Sequence, residues 1–142
     1  MGSKKNIAFT KGIYCNREYS WLQFNRRVLD QAGDLTNPLL ERCKFLAIFC
    51  SNLDEFFMVR VGSLLNESKV DPSARENKTD LTAQEQVEGI LSETKKLYKE
   101  CSAAFSRLKA ELNKNGMRIL RPSDLPARQR AKCEIHFLEA IL

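Results

Sequence analysis

Apolar residues recur along this chain at helical spacing, in segments separated by Pro, Gly and polar breaks. The first pattern predicts a helix over about Ser20 to Ala32. Its inward stripe is Trp21, Leu22, Phe24, Val28, Leu29 and Ala32, with Asn16 or Ser20 as candidate caps and Gly33 as its stop. Asn25 lies inside that stripe, four residues after Trp21 and three after Leu22. A buried Asn at such a place predicts a hydrogen-bonded tie to a neighbouring helix.

The second pattern dominates the chain. Asn37 suits an N-cap, and Pro38 suits the first helical position, where its missing N–H costs nothing. One helix is predicted to about Glu67, roughly 45 Å at about 1.5 Å per residue. Apolar blocks at Phe45 to Cys50 and Phe56 to Val59 flank a polar cluster of Ser51, Asn52, Asp54 and Glu55. The middle is apolar almost all round, which predicts burial on most sides and a central place in the bundle. Polar groups there are costly without partners.

Ser68 to Asp80, with Asp71-Pro72-Ser73 and few apolar residues, predicts a mobile loop. Thr82-Ala-Gln-Glu85 has the capping-box pattern and opens a third helix that runs to about Asn115, with Gly116 as its stop. Val87, Leu91, Thr94, Tyr98, Cys101, Phe105, Leu108 and Leu112 alternate steps of four and three, the period of long helix–helix packing. Lys95, Lys96, Lys99, Arg107 and Lys109 fall off that stripe, on a solvated face. Met117 to Leu120 predicts an extended segment. Ser123 or Asp124 can cap a fourth helix carrying Cys133, Phe137, Ala140 and Ile141, and the pattern is unfinished at Leu142, which suggests a fragment. In the lead-in, residues 1–15, Ile7, Phe9, Ile13 and Tyr14 are candidate packing anchors. The predicted fold class is all-α: an up-down helical bundle of three main helices plus a C-terminal helix.

Composition narrows the function classes. The 142 residues are 43% hydrophobic and 29% charged, enough for one domain with a real core. The net charge of +5 is compatible with an anionic partner, but the basic residues are dispersed and not interleaved with aromatics, which argues against nucleic acid. Five cysteines without a CxxC pair, beside a single histidine, argue against zinc and against a disulfide framework, and for a reducing cytosol. Cys43, Cys50 and Cys101 read as small core hydrophobes. No stretch approaches the length of a membrane span, and the start lacks a signal-peptide core.

Catalytic constellations are scarce: no Gly-rich phosphate loop, GxSxG, HExxH or calcium loop occurs. His136 is solitary and reads as structural. Asp54 and Glu55 are adjacent, about 100° apart on a helix, so they cannot readily share a proton or a metal. There remains one face, Asn52, Phe56 and Arg60, with Glu55 beside it. A carboxamide offers an acceptor and two donors, the set that reads an adenine edge. Arg60 can pair with Glu55 or Asp54 of its own helix, or with a partner helix. These residues leave two readings open for Asn52, a ligand contact or a buried tie that fixes helix register.

Two strings carry a resemblance. Asn16-Arg-Glu-Tyr-Ser-Trp-Leu-Gln-Phe-Asn-Arg-Arg-Val-Leu29 and the run from Asn37-Pro-Leu-Leu to Ser51-Asn-Leu-Asp-Glu-Phe-Phe-Met-Val-Arg60 resemble the amino-terminal domain of bacterial polyphosphate kinase, of the phosphohistidine type. The resemblance is dense over residues 14–65; residues 82–142 agree in helical pattern more than in motif. It implies an enzyme that reversibly transfers the terminal phosphate of ATP to inorganic polyphosphate. The resemblance makes residues 1–116 the amino-terminal helical domain and 117–142 the truncated start of the head domain, and the phosphorylated histidine, the Mg2+ ligands and the polyphosphate tunnel would belong to later domains. No catalytic or metal residue is expected in this chain, which alone would be inert. Asn52 matches the family's ATP contact on the adenine side of the pocket. The resemblance further implies a cytoplasmic enzyme, with peripheral membrane association open, and a homo-oligomer when intact. The alternative from the residues alone is a non-catalytic helical interaction or oligomerisation module.

Overall fold

Leu22, Phe49, Leu53, Ile90 and Leu97, each at most 1% exposed, form the centre of the core and explain which face each helix turns inward. The computed structural model describes residues 10–11 and 14–141. A two-residue antiparallel ribbon, β1 (Thr10–Lys11) with β2 (Tyr14–Cys15), precedes α1 (Arg17–Gly33), α2 (Leu39–Phe56), α3 (Gly62–Val70), α4 (Ala83–Lys114) and α5 (Ala127–Ala140). The fold is an all-α helical bundle. Its contacts divide it into two compact units, one through Leu108 and one from Lys109, so the division falls inside α4.

Asn16 starts α1 because its Oδ1 accepts the N–H groups of Glu18 at 2.9 Å and Tyr19 at 3.2 Å, two donors no helical carbonyl can reach. Of the two candidate caps, Asn16 holds the role. Leu22, Asn25, Leu29 and Ala32 are buried, Trp21 and Val28 pack against them, and Phe24 turns half outward. Asn37 does not cap α2. The helix begins after Pro38, and the Asn37 amide instead donates to the Gln31 carbonyl at 3.2 Å. Arg42, buried at the start of α2, donates from Nε to the carbonyl of Ala32 at 3.1 Å and so satisfies the end of α1.

The predicted single helix from Asn37 to Glu67 is divided by a π-turn. Over Phe57–Val61 the hydrogen bonds lengthen by one residue, Gly62 N–H reaching the carbonyl of Phe57. The buried positions of α2 step by four and three through Arg42, Leu46, Phe49, Leu53 and Phe56, and then resume at Val61 and Leu64. The extra residue carries the core track past Arg60, which a regular helix would have turned inward. The expectation of burial on most sides fails. Leu40 and Ile48 of α2 and Met58 and Val59 of the π-turn are exposed, so this run buries one stripe and leaves apolar side chains on the other side.

Ser68 to Val70 belong to α3, so the linker is shorter than predicted. It is also tied locally: Asp71 accepts from Ser73 and Ala74, Glu76 accepts from Lys78 and Thr79, and Arg75 bridges to Thr82. Asp80 takes a left-handed φ of 62°, which Asp tolerates better than most residues. The Thr82–Glu85 capping box forms as predicted, Thr82 N–H to Glu85 at 2.9 Å and Glu85 N–H to Thr82 at 3.2 Å. On α4 five of the eight predicted stripe positions are right, Leu112 among them. Val87, Thr94, Cys101 and Leu108 are buried, but Leu91, Tyr98 and Phe105 lie outside and Ile90, Leu97 and Ala104 take their places. The buried series has the predicted steps of four and three with its alternate members one residue earlier. The five basic positions are solvated.

Tyr14 is exposed, its ring under the amine of Lys78 at 4.6 Å, and is no packing anchor. Ile7, Phe9 and Ile13 lie outside the described residues. In the second unit, α4 ends at a Schellman turn: Met117 N–H donates to Leu112 at 2.9 Å and Gly116 has φ of 78°. Residues 117–120 form neither helix nor strand ladder. Ser123 and Asp124 lie in a 3-10 turn, Pro122–Asp124, and α5 starts behind Pro126, so neither caps it. No residue of α5 is buried, Cys133 and Phe137 included.

Candidate functional site

Asn25, fully buried on α1, sits at the centre of a side-chain relay. Its amide donates to the carbonyl of Phe49 at 3.1 Å, and its Oδ1 accepts an N–H of Asn52 at 3.0 Å. The first bond is the inter-helix tie that its place in the stripe predicted. The second fixes the Asn52 amide plane. One N–H and the Oδ1 of Asn52 make no further hydrogen bond among the described residues, and the residue is only half-buried. The two readings left open by sequence therefore meet in one side chain, a tie on one edge and a free donor–acceptor pair on the other. Asn25→Ala should cost about 1–2 kcal/mol in urea unfolding, because a buried bond is lost. Asn52→Ala, more exposed, should cost less in the same titration.

Asn52 lines a cleft of about 320 Å³ between α1 and α2. Trp21 and Phe56 meet there as a parallel stack, centroids 4.3 Å apart and planes 8° from parallel. Phe24, Glu55 and Val59 complete the side chains near Asn52, and Arg17, Glu18 and Arg60 charge the remaining wall.

Arg60 pairs with neither Glu55 nor Asp54. The π-turn directs it to Glu18 of α1, with Nε 3.2 Å from Oε2 and Nη2 against Oε1. Arg17 Nε reaches the same carboxylate at 3.2 Å, and Glu18 is only 3% exposed. A nearly buried carboxylate is tolerable only with such partners. The hydrogen bond to Glu18 raises the Arg60 pKa, against the opposing effect of burial. Glu18 lies on α1, so the spacing along α2 could not reveal it as the partner of Arg60. Its signal was local: an acidic residue two places after a good N-cap, where the helix dipole favours a carboxylate.

His136 is exposed on α5, beside a larger groove of about 970 Å³ that follows the uncovered side of that helix. That groove holds no stacked rings or oriented carboxamide, and the chemistry of the smaller cleft is better defined. Among the described residues no cluster of three His, Cys, Asp or Glu stands close enough to hold a metal ion, and no helix is long and apolar enough to cross a membrane.

A helical bundle whose α1–α2 face carries an Asn–Asn relay beside stacked aromatic rings defines the class, and comparison with known proteins supplies the family. Residues 14–120 match the polyphosphate kinase N-terminal domain, and the chain belongs to the polyphosphate kinase family. It is 44% identical to a polyphosphate kinase of Exiguobacterium sibiricum over 129 residues, covering 91% of this chain and 18% of that protein. It is 43% identical to one of Staphylococcus haemolyticus, with the same coverage, and 44% identical to one of Bacillus anthracis over 98% of this chain and 20% of that protein. The chain thus spans about a fifth of the length of these relatives. No solved structure matches.

Proposed function

We propose that this chain forms part of the adenine side of an ATP pocket, in an enzyme that reversibly transfers the terminal phosphate of ATP to inorganic polyphosphate. Asn52 contacts the base. The observation that carries this reading is the half-satisfied Asn52 amide, held from behind by Asn25 with one donor and one acceptor left at the cleft. An adenine edge offers the complementary acceptor and donor. The aromatic side chains beside Asn52 suit a flat apolar partner. Phosphoryl chemistry, with Mg2+ and the nucleophilic histidine, is assigned to the head and catalytic domains of the longer protein, and the isolated chain is not catalytic.

The test is kinetic. In the full-length enzyme, Asn52→Ala should raise the apparent KM for ATP several-fold, since a hydrogen bond lost to a base is worth about 0.5–1.5 kcal/mol. Unchanged ATP dependence would remove Asn52 from the site. The exposed Met58 and Val59 favour a second reading, a docking face for other domains or for a second copy. Under that reading alone, Asn52→Ala leaves ATP kinetics untouched.

A further inference from the structure

Cys50 on α2 and Cys101 on α4 are 51 positions apart in sequence, yet their sulfurs stand 4.0 Å from one another. No other pair of cysteines makes a sulfur contact among the described residues. The two differ in access, Cys50 being exposed and Cys101 buried, with only 8% of its surface accessible. A disulfide requires about 2.05 Å, so roughly 2 Å of approach is needed, on the scale of side-chain rotation with a small shift of the helices.

We propose that Cys50 and Cys101 form a two-electron redox pair, in which a hydroperoxide converts the thiols to an intramolecular disulfide that clamps α2 to α4. Cys50, the accessible member, attacks as thiolate. Its sulfur bonds to a peroxide oxygen, the O–O bond breaks, and the departing hydroxide leaves as water with a proton from solvent, giving a sulfenic acid on Cys50. The Cys101 sulfur then attacks the Cys50 sulfur, the S–O bond breaks, and the leaving hydroxide takes the Cys101 proton as a second water. The balance is two thiols and one hydrogen peroxide to one disulfide and two waters. Burial, and then the neighbouring Cys50, pushes the Cys101 thiol up to about 11, which keeps it protonated and unreactive toward dissolved oxidant. It is the resolving partner, spared until a sulfenic acid forms beside it.

The position of the clamp matters. Cys50 follows Phe49, whose carbonyl accepts from Asn25, so the cross-link would fix the helical turn that also carries the Asn25–Asn52 relay.

The chain as it stands, treated with hydrogen peroxide, provides the test. Two of its five thiols should be lost, the monomer mass should fall by two hydrogen atoms, and peptide mapping should join Cys50 to Cys101. Tm should rise by about 10 °C and return on reduction, because the bridge closes a long loop in the unfolded chain. Cys50→Ser, at an exposed site, should abolish the shift, whereas Cys15→Ser, Cys43→Ser and Cys133→Ser combined should retain it. Overturning results are a bridge between other cysteines or between chains, over-oxidation of Cys50 with Cys101 still a thiol, or an intramolecular bridge that leaves Tm unchanged.

Discussion

Phe49→Ala is expected to lose about 3–5 kcal/mol of unfolding free energy, the largest effect of any single change considered for α2. Phe49 is completely buried, and its removal leaves a ring-sized cavity among Leu22, Leu53 and their neighbours, which cannot collapse without moving a helix. Its neighbour in sequence provides the control. Ile48 is 46% exposed, so Ile48→Ala should cost less than about 1 kcal/mol. Urea titrations of the two variants decide whether α2 buries a single stripe. Equal losses would mean that Ile48 is covered as deeply as Phe49.

Arg60→Ala ranks second, with an expected loss of about 2–3 kcal/mol in the same assay. Among the described residues, the nearly buried Glu18 would keep Arg17 as its only charged partner, through one hydrogen bond. The loss stays below that of a fully buried pair because the Arg60 side chain is 38% exposed and water can partly replace it. Replacing both partners, Glu18→Gln with Arg60→Met, should recover a substantial part of the deficit, since the uncompensated charge goes with the pair. Full additivity of the two single losses would show that the residues do not interact.

Asn25, the Thr82–Glu85 box and Arg60 show what was readable in the sequence and what was not. Asn25 declared its role through placement alone, a carboxamide inside an apolar stripe, and the structure supplies the tie to Phe49 that this placement required. The Thr82–Glu85 box was legible because capping is a local matter of four residues. Arg60 was not legible in the same way. Its partner lies on another helix, 42 positions away, and the turn that aims it there depends on a π-insertion that no Pro or Gly within Phe57–Val61 announces.

On α4 the period was right and the phase wrong at three of the eight positions. Leu91, Tyr98 and Phe105 are larger or more aromatic than much of what replaces them, and a stripe chosen by size prefers them. Packing selected Ile90, Leu97 and Ala104, whose direction matches the helices they meet. The apolar middle of α2 misled for a related reason. Composition counts apolar residues around a helix, but a small bundle has only enough neighbours to cover one side. Asn52 was legible as a candidate and undecided between tie and contact. The relay explains why: the side chain supports the fold with one edge and leaves the other at the cleft.

Substrate preference tests the assignment of Asn52 most directly. The measurement is kcat/KM for ATP and for GTP in the full-length enzyme, with Asn52 intact and with Asn52→Ala. A carboxamide set against an adenine edge predicts that the substitution lowers kcat/KM for ATP several-fold, about 0.5–1.5 kcal/mol, and leaves GTP little changed, so that the preference for ATP narrows. Equal losses for both nucleotides, or no loss for either, would contradict the placement of the adenine base against Asn52.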